Sequence, residues 1–218
     1  MLLLLALVGL AAVLWFRASG WQPSRAEYPV QGALVGEGDG PIDFNALRAT
    51  GADFVYIGAS HGAEGRDAMF PRNLAAVADA GVPHGVVHAY DPCVPAERQA
   101  ANFVTIVPRD EELLPPAIAL SKPASECGDA IIEAGLESEL TTFINQVEGH
   151  AGKPVVLKVS PEFEAEYGIA VRIERNLWLE RDFVEPDYAG RPWTLWSATS
   201  YLRGESGDRA LRWVVVQP

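Results

Sequence analysis

The stretch from Gly51 to Pro92 constrains the fold more than any other part of the chain. Asp53 to Ala59 is a short run with β-branched and aromatic residues that leads into Ser, His and Gly, the pattern of a buried strand feeding a loop. From Phe70 to Ala80 the apolar residues Phe70, Leu74, Val77 and Ala78 share one helical face, and Gly81 stops the helix. A second strand follows from Gly85 to Tyr90. The unit is strand, helix, strand, and a parallel return in one sheet requires a right-handed crossover. An α/β fold is therefore expected.

The rest of the chain extends that pattern. Gln31 to Gly36 is a first strand, followed by a Gly-rich turn and a short helix from Ile42 to Ala49. Pro95 to Val107 is a helix with Pro at its first turn, and Pro116 to Leu120 is the fourth strand. A long amphipathic helix, Ile131 to Glu148, repeats Leu136, Leu140, Phe143, Ile144 and Val147 at helical spacing. Strands at Val155 to Val159, Leu177 to Glu180, Thr194 to Ser197 and Leu211 to Val216 bring the series to eight, with a helix over the PEFEAEYG segment and loops beyond it.

Ahead of this series, Leu2 to Phe16 is an apolar run without a charge, extended past Arg17 by Ala18 and Trp21. It is short for a span of roughly 20 residues, lacks a basic start, and is followed only by Ala18-Ser19-Gly20 as a cleavage candidate. An uncleaved signal anchor over residues 1–21 is the expectation; a cleaved signal peptide and a soluble core helix are the alternatives. Trp15 and Trp21 suit a membrane interface, residues 22–29 read as a linker, and the domain proper runs over 30–218. Either export route puts the domain outside the cytoplasm, membrane-anchored in the cell envelope, or secreted if the segment is cleaved. With 49% hydrophobic and 21% charged residues the chain is of the globular class. A formal charge of −12 without clustered Lys or Arg excludes the footprint that nucleic-acid binding needs.

The central stretch resembles glycoside hydrolase family 25, the lysozymes (N-acetylmuramidases) that cut peptidoglycan. The resemblance rests on Ala59-Ser60-His61-Gly62, Asp67, Phe70, Asn73, Ala80-Gly81, Gly85 and His88, with His61 standing where the family has Glu and Val87 where it has Tyr. It is joined by Ile42-Asp43-Phe44, Gln99-Ala100-Ala101-Asn102-Phe103, Leu114-Pro115-Pro116, Trp178-Leu179 and Leu195-Trp196. It implies a TIM-like irregular (β/α) barrel of eight strands with fewer helices in the C-terminal half. It also implies a peptidoglycan glycan as partner, hydrolysis of the β-1,4 bond after N-acetylmuramic acid, and no cofactor.

Barrel sites lie at the C-terminal ends of the strands, and glycoside hydrolysis needs an acid plus a second group that stabilises or traps the oxocarbenium-like centre. The resemblance puts the family's acids at Leu34, Ala119, Ser121 and near Ala210, none of which is a carboxylate. A register slip offers Glu37, Asp39, Glu126 or Asp129, and Asp91 stands at the end of the third strand. The expectation is a lysozyme-like domain whose hydrolysis is lost or much reduced. The alternative is a non-catalytic barrel, anchored in the membrane, that binds glycan or a protein partner. Ligand contacts are expected from His88, Tyr90, His61 and Trp196, the last as a sugar-stacking platform, with core packing the competing explanation for His88 and Trp196. Cys93 and Cys127 each follow a strand, the third and the fourth, so a disulfide between adjacent rim loops is expected, with two unpaired thiols as the alternative. No metal site is expected, because no second pair of ligands stands near them.

Overall fold

The computed structural model describes residues 15–127 and 133–218, together with positions 4, 7 and 9. Most of the apolar run expected to be an anchor lies outside these residues, as does Asp129. Residues 15–19 are helical, and among the described residues no helix is long and apolar enough to cross a membrane.

The strands are β1 (Gln31–Val35), β2 (Phe54–His61), β3 (Gly65–Arg66), β4 (His84–Ala89), β5 (Ala117–Leu120), β6 (Val156–Val159), β7 (Asn176–Glu180), β8 (Leu195–Leu202) and β9 (Leu211–Val216). They form one sheet in the order β1-β9-β8-β7-β6-β5-β4-β2-β3, closed by a parallel pairing of β1 with β2. β3 is a two-residue flap folded back on the end of β2, so eight strands make the barrel. The eight barrel strands run parallel to their neighbours except at β9, which is antiparallel to both β8 and β1. Only residues 203–210 separate β8 from β9. That connection is too short for a parallel crossover, which takes a dozen residues or more.

The helices are α1 (Phe44–Ala49), α2 (Phe70–Asp79), α3 (Ala96–Ile106), α4 (Glu133–Ala151), α5 (Pro161–Tyr167) and α6 (Ile169–Arg172). Local chemistry sets their ends. Asp43 Oδ1 accepts from the amides of Asn45 and Ala46 at the start of α1, and Ser160 Oγ accepts from Phe163 at the start of α5. Gly168, at φ 59°, stops α5 in the left-handed conformation that glycine adopts without a Cβ penalty. No helix follows α6, so the C-terminal third of the barrel is joined by loops.

Alternation along each strand splits the apolar residues into two cores. Val35, Val55, Ile57, Val86, Ile118, Leu157, Leu179 and Val215 face outward and pack with Phe70, Phe103, Phe143 and Phe163 of the helices. Leu34, Phe54, Tyr56, Val87, Ala117, Val156, Trp178, Leu195 and Val214 fill the barrel interior. The interior is plugged by rings, with Tyr56 and Trp178 at 5.0 Å between centroids and Phe54 and Tyr56 at 6.1 Å. Glycine on the neighbouring strand makes room for them. A Cβ on Gly85 would lie 2.5 Å from the Tyr56 ring, and one on Gly32 would lie 2.3 Å from the Phe54 carbonyl oxygen and 2.8 Å from its ring.

The segment read as a linker is strapped to the barrel. Gln31 Nε2 donates to the carbonyls of Pro23 and Tyr28, Arg25 Nη1 donates to Asp53 Oδ2, and the buried Tyr28 ring packs on Trp193 and Trp196.

Candidate functional site

At the C-terminal end of the strands the inward-facing side chains become small or charged. Above the ring plug lie Gly58 of β2, Ala89 of β4, Ala119 of β5, Lys158 of β6, Glu180 of β7, Ser197 of β8 and Arg212 of β9. Gly58, Ala89, Ala119, Glu180 and Arg212 are all partly exposed, so this layer opens to solvent.

Its centre is an ion pair between adjacent strands. Lys158 Nζ donates to Glu180 Oε2, and the same ammonium stands 6.0 Å from the Trp178 ring centroid. The Lys158 side chain is only 9% exposed, so the pair is held by low-dielectric surroundings beneath it and water above. Trp178 Nε1 donates to Ser197 Oγ at 2.8 Å, which fixes the indole under the pair. Tyr188 ties the two strand ends together: its hydroxyl donates to the Val159 carbonyl at 2.7 Å and accepts from the Glu180 amide at 2.9 Å.

Across the mouth, Asp67 occupies the space that side chains on β2 and just beyond β1 would otherwise fill. A Cβ on Gly58 would come within 2.8 Å of Asp67 Oδ2, and one on Gly36 within 3.0 Å. That oxygen accepts from the Glu37 amide at 2.8 Å, while Oδ1 accepts from the Met69 amide at 2.8 Å. Asp39 Oδ2 accepts from the Gly36 amide at 2.7 Å and faces Arg212 Nη2 at 3.5 Å. Each mouth carboxylate is thus already engaged.

The positions to which the family's acids map are apolar or hydroxylic. Leu34 is buried in the barrel interior, Ala119 is half-buried in the mouth, and Ser121 is exposed beyond β5. The register-slip candidates have other work. Glu37 Oε2 accepts from the Ala68 amide at 3.0 Å, and Asp91 takes both oxygens to Lys122 Nζ at 2.9 Å while Oδ1 also accepts from the Cys93 amide. Glu126 is exposed in a 3-10 turn at Ala124–Glu126.

Three of the expected ligand contacts face the other way. His88 is fully buried between β4 and the helices, with its ring 4.8 Å from that of Phe143 and 6.2 Å from that of Phe103. Tyr90 is also buried, against Phe143, and its hydroxyl has no hydrogen-bond partner among the described residues. Trp196 packs outward on Tyr28 and Trp193, with Nε1 donating to the Arg181 carbonyl at 2.8 Å. Their location near strand ends is as expected, but strand parity turns them from the rim into the outer core. The fourth, His61, is exposed, its ring lying over Gly65.

His88 instead braces the loops above it. Ser60 Oγ lies 2.8 Å from Nδ1, and Nε2 lies 3.4 Å from Gln99 Oε1. Gln99 in turn donates to the carbonyls of Asp91 and Val94 and accepts from the Asp91 amide. Because the Gln99 oxygen is an acceptor, the neutral tautomer with a proton on Nε2 satisfies the network. Burial pushes the His88 imidazole down to about 4. The folded state then refuses a proton that the unfolded chain takes below about pH 6.5. Stability is complete above that value and falls as pH drops towards 4, by about 1.4 kcal/mol per unit and about 3 kcal/mol in all. Urea titrations between pH 7 and 4 should show this slope and should lack it in His88→Asn; equal slopes would refute the assignment.

Cys93 and Cys127 form a disulfide with Cα atoms 5.2 Å apart, joining the loop after β4 to the loop after β5. Together with Asp91 they make the cluster of metal-ligand types found among the described residues. It does not suit a metal, since both sulfurs are spent in the bond and Asp91 is held by Lys122.

Lys158, Glu180 and Arg212 were not singled out from the sequence. A signal for the first was present: Lys158 interrupts the apolar run Val155 to Val159, and a cation in a buried strand requires a partner. Its partner lies 22 residues away and becomes visible only through the pairing of Lys158 with Trp178 across β6 and β7.

A family model described as Glycosyl hydrolases family 25 matches residues 35–204. Among solved structures, the fold is similar to a family 25 glycosyl hydrolase from Bacillus anthracis, with 24% identity and a TM-score of 0.82 over 92% of this chain and 93% of that one. It is also similar to a bacterial lysozyme from Streptomyces coelicolor, with 21% identity and a TM-score of 0.75 over 87% and 92% of the two chains. A muramidase from Acremonium alcalophilum follows at 17% identity and a TM-score of 0.73, over 87% and 94%. A comparison with curated proteins found no match.

Proposed function

Because the chain belongs to glycosyl hydrolases family 25, we propose that it is a cell-envelope domain that engages peptidoglycan glycan strands at the barrel mouth with hydrolysis lost or much reduced. The structural relatives described as lysozymes and muramidases support peptidoglycan as the target. The N-terminal apolar run supports membrane anchoring with the barrel outside the cytoplasm.

The observation that carries the loss of hydrolysis is the pairing of the mouth carboxylates. Cleavage of a glycosidic bond needs one carboxyl group free to give a proton to the leaving oxygen and a second free to face the sugar ring. Glu180 is committed to Lys158, Asp39 to Gly36 and Arg212, and Asp67 to two backbone amides. What remains is a ring of hydrogen-bonding groups over an aromatic floor, which suits holding a sugar. Losing the general acid alone removes on the order of 10²–10⁴ in rate.

Glu180 favours a second reading, residual hydrolysis by a displaced carboxylate, because it is an acid that projects into the mouth. One experiment separates the two. The purified full chain should sediment with peptidoglycan sacculi and release no detectable reducing ends. Turnover above background that disappears in Glu180→Gln or Asp39→Asn would establish residual hydrolysis, and failure to sediment would remove peptidoglycan as the ligand.

A further inference from the structure

Where the N-terminal run meets the barrel, large apolar side chains gather on the outside. Trp15 is 55% exposed, Phe16 81%, Val184 55%, Tyr201 40% and Phe183 39%, although other large rings of the barrel wall are buried. These exposed groups are in contact. Trp15 meets Tyr201 edge-on at 6.4 Å, Tyr201 stacks on Phe183 at 5.8 Å and 10°, and Phe183 meets Trp21 at 5.3 Å. The patch joins the helical residues 15–19 to the end of β8 and to the loop after β7.

Two details fix this geometry. The Arg203 amide donates to the Ser19 carbonyl at 2.8 Å, and its guanidinium lies 6.0 Å from the Trp15 ring. Phe183 is the described non-glycine residue with positive φ, 68°, and its amide donates to the Ala198 carbonyl at 2.7 Å. A bulky residue adopts that conformation only where its surroundings impose it. Here it presents an aromatic ring to the outside.

We propose that Trp15, Phe16, Phe183, Val184 and Tyr201 form a lipid-facing patch that seats the β7–β8 side of the barrel in the interfacial layer of a bilayer. The proposal rests on the anchoring reading above and adds an orientation to it. Three observations favour a lipid surface over a protein partner. The uncharged run Leu2 to Phe16 leads directly into the patch, so a membrane that held it would bring lipid to these side chains. Trp, Tyr and Phe are the residues that settle at the level of headgroups. Arg17 and Arg203 stand beside the acidic Glu27, Asp182 and Glu185 and form no basic cluster, so insertion of rings and not attraction to anionic lipid is the driving contact. Residues 22–29 are bound to the barrel, so the orientation would be rigid and the mouth, three residues from Phe183 at Glu180, would open beside the bilayer surface.

The test uses the full chain in phosphatidylcholine vesicles, with a nitroxide attached in turn to Val184→Cys, Tyr201→Cys and Thr141→Cys. Thr141 is exposed on α4, which packs beside β4 on the far wall. The expected result is flotation with the vesicles, and oxygen-over-nickel accessibility severalfold higher at positions 184 and 201 than at 141. Flotation with all three labels equally open to the aqueous quencher would overturn the patch while leaving the anchor. Failure to float would overturn both.

Discussion

Replacing Cys93 and Cys127 with serine should lower the free energy of unfolding by about 4 kcal/mol, from the entropy returned to the unfolded chain when a loop of 34 residues is opened. For a domain of this size that corresponds to a fall in melting temperature on the order of 10 °C. The bond encloses α3 and β5 and ties two loops over the mouth, so their pairing is lost with it. Asp91 and Lys122 stand at the same loops, but an ion pair about a third exposed substitutes poorly for a covalent tie. Calorimetry of the oxidised wild type, the reduced wild type and the double serine variant is the measurement. The last two should melt together and well below the first. A double variant as stable as the oxidised protein would mean that the unfolded chain gains nothing when the bond is absent.

Trp178→Ala should cost about 3–5 kcal/mol, the range for removing a large buried ring. Trp178 is fully buried in the barrel interior. Its loss would take away the face against Tyr56, the surface under Lys158, and the donor to Ser197 Oγ. The cavity cannot be refilled from the neighbouring strands, since the inward residues beside it, Val156 and Leu195, are held in register by parallel pairing. Urea unfolding should show a lower midpoint with an unchanged slope. Trp178→Phe, which keeps a ring and forfeits mainly the hydrogen bond, should lose clearly less. An alanine variant with the midpoint of the wild type would show that the plug is not a supporting element of the barrel.

Much of this architecture was legible in the residues because burial on both faces and helical periodicity leave strong patterns. Apart from Lys158 and Arg212 at the mouth, the runs Val155 to Val159 and Leu211 to Val216 are apolar on both faces, as strands packed between a barrel interior and an outer core must be. Leu136, Leu140, Phe143, Ile144 and Val147 mark the buried face of α4 for the same reason. The flap β3 was not legible, since two residues carry no period. Nor was the reversed direction of β9, because an apolar strand reads alike in either direction.

The site was harder to read than the fold. Strand alternation decides whether a residue near a strand end faces the mouth or the helices, and a shift of one residue exchanges the two. His88, Tyr90 and Trp196 fall on the outward side of that alternation, His88 and Tyr90 against helices and Trp196 against Tyr28 and Trp193, whereas Val87, Ala89 and Ser197 beside them face inward. Chemistry written across strands is hidden for a different reason. Lys158 with Glu180, and Arg212 with Asp39, are pairs that no spacing along the chain announces.

The closure of the barrel has a consequence for how the molecule is made. β1 is held on one side by β2 and on the other by β9, and Trp213 donates to Gln31 across 182 residues of chain. A chain made N-terminus first must therefore carry β1 with one open edge through almost the whole of its synthesis. Unpaired edges recruit other strands, and contacts of such long separation form slowly. The strap of residues 22–29 fixes the Gln31 and Asp53 side chains from the first strands onward, but the Gln31 amide oxygen and the β1 backbone facing β9 wait for the last strand.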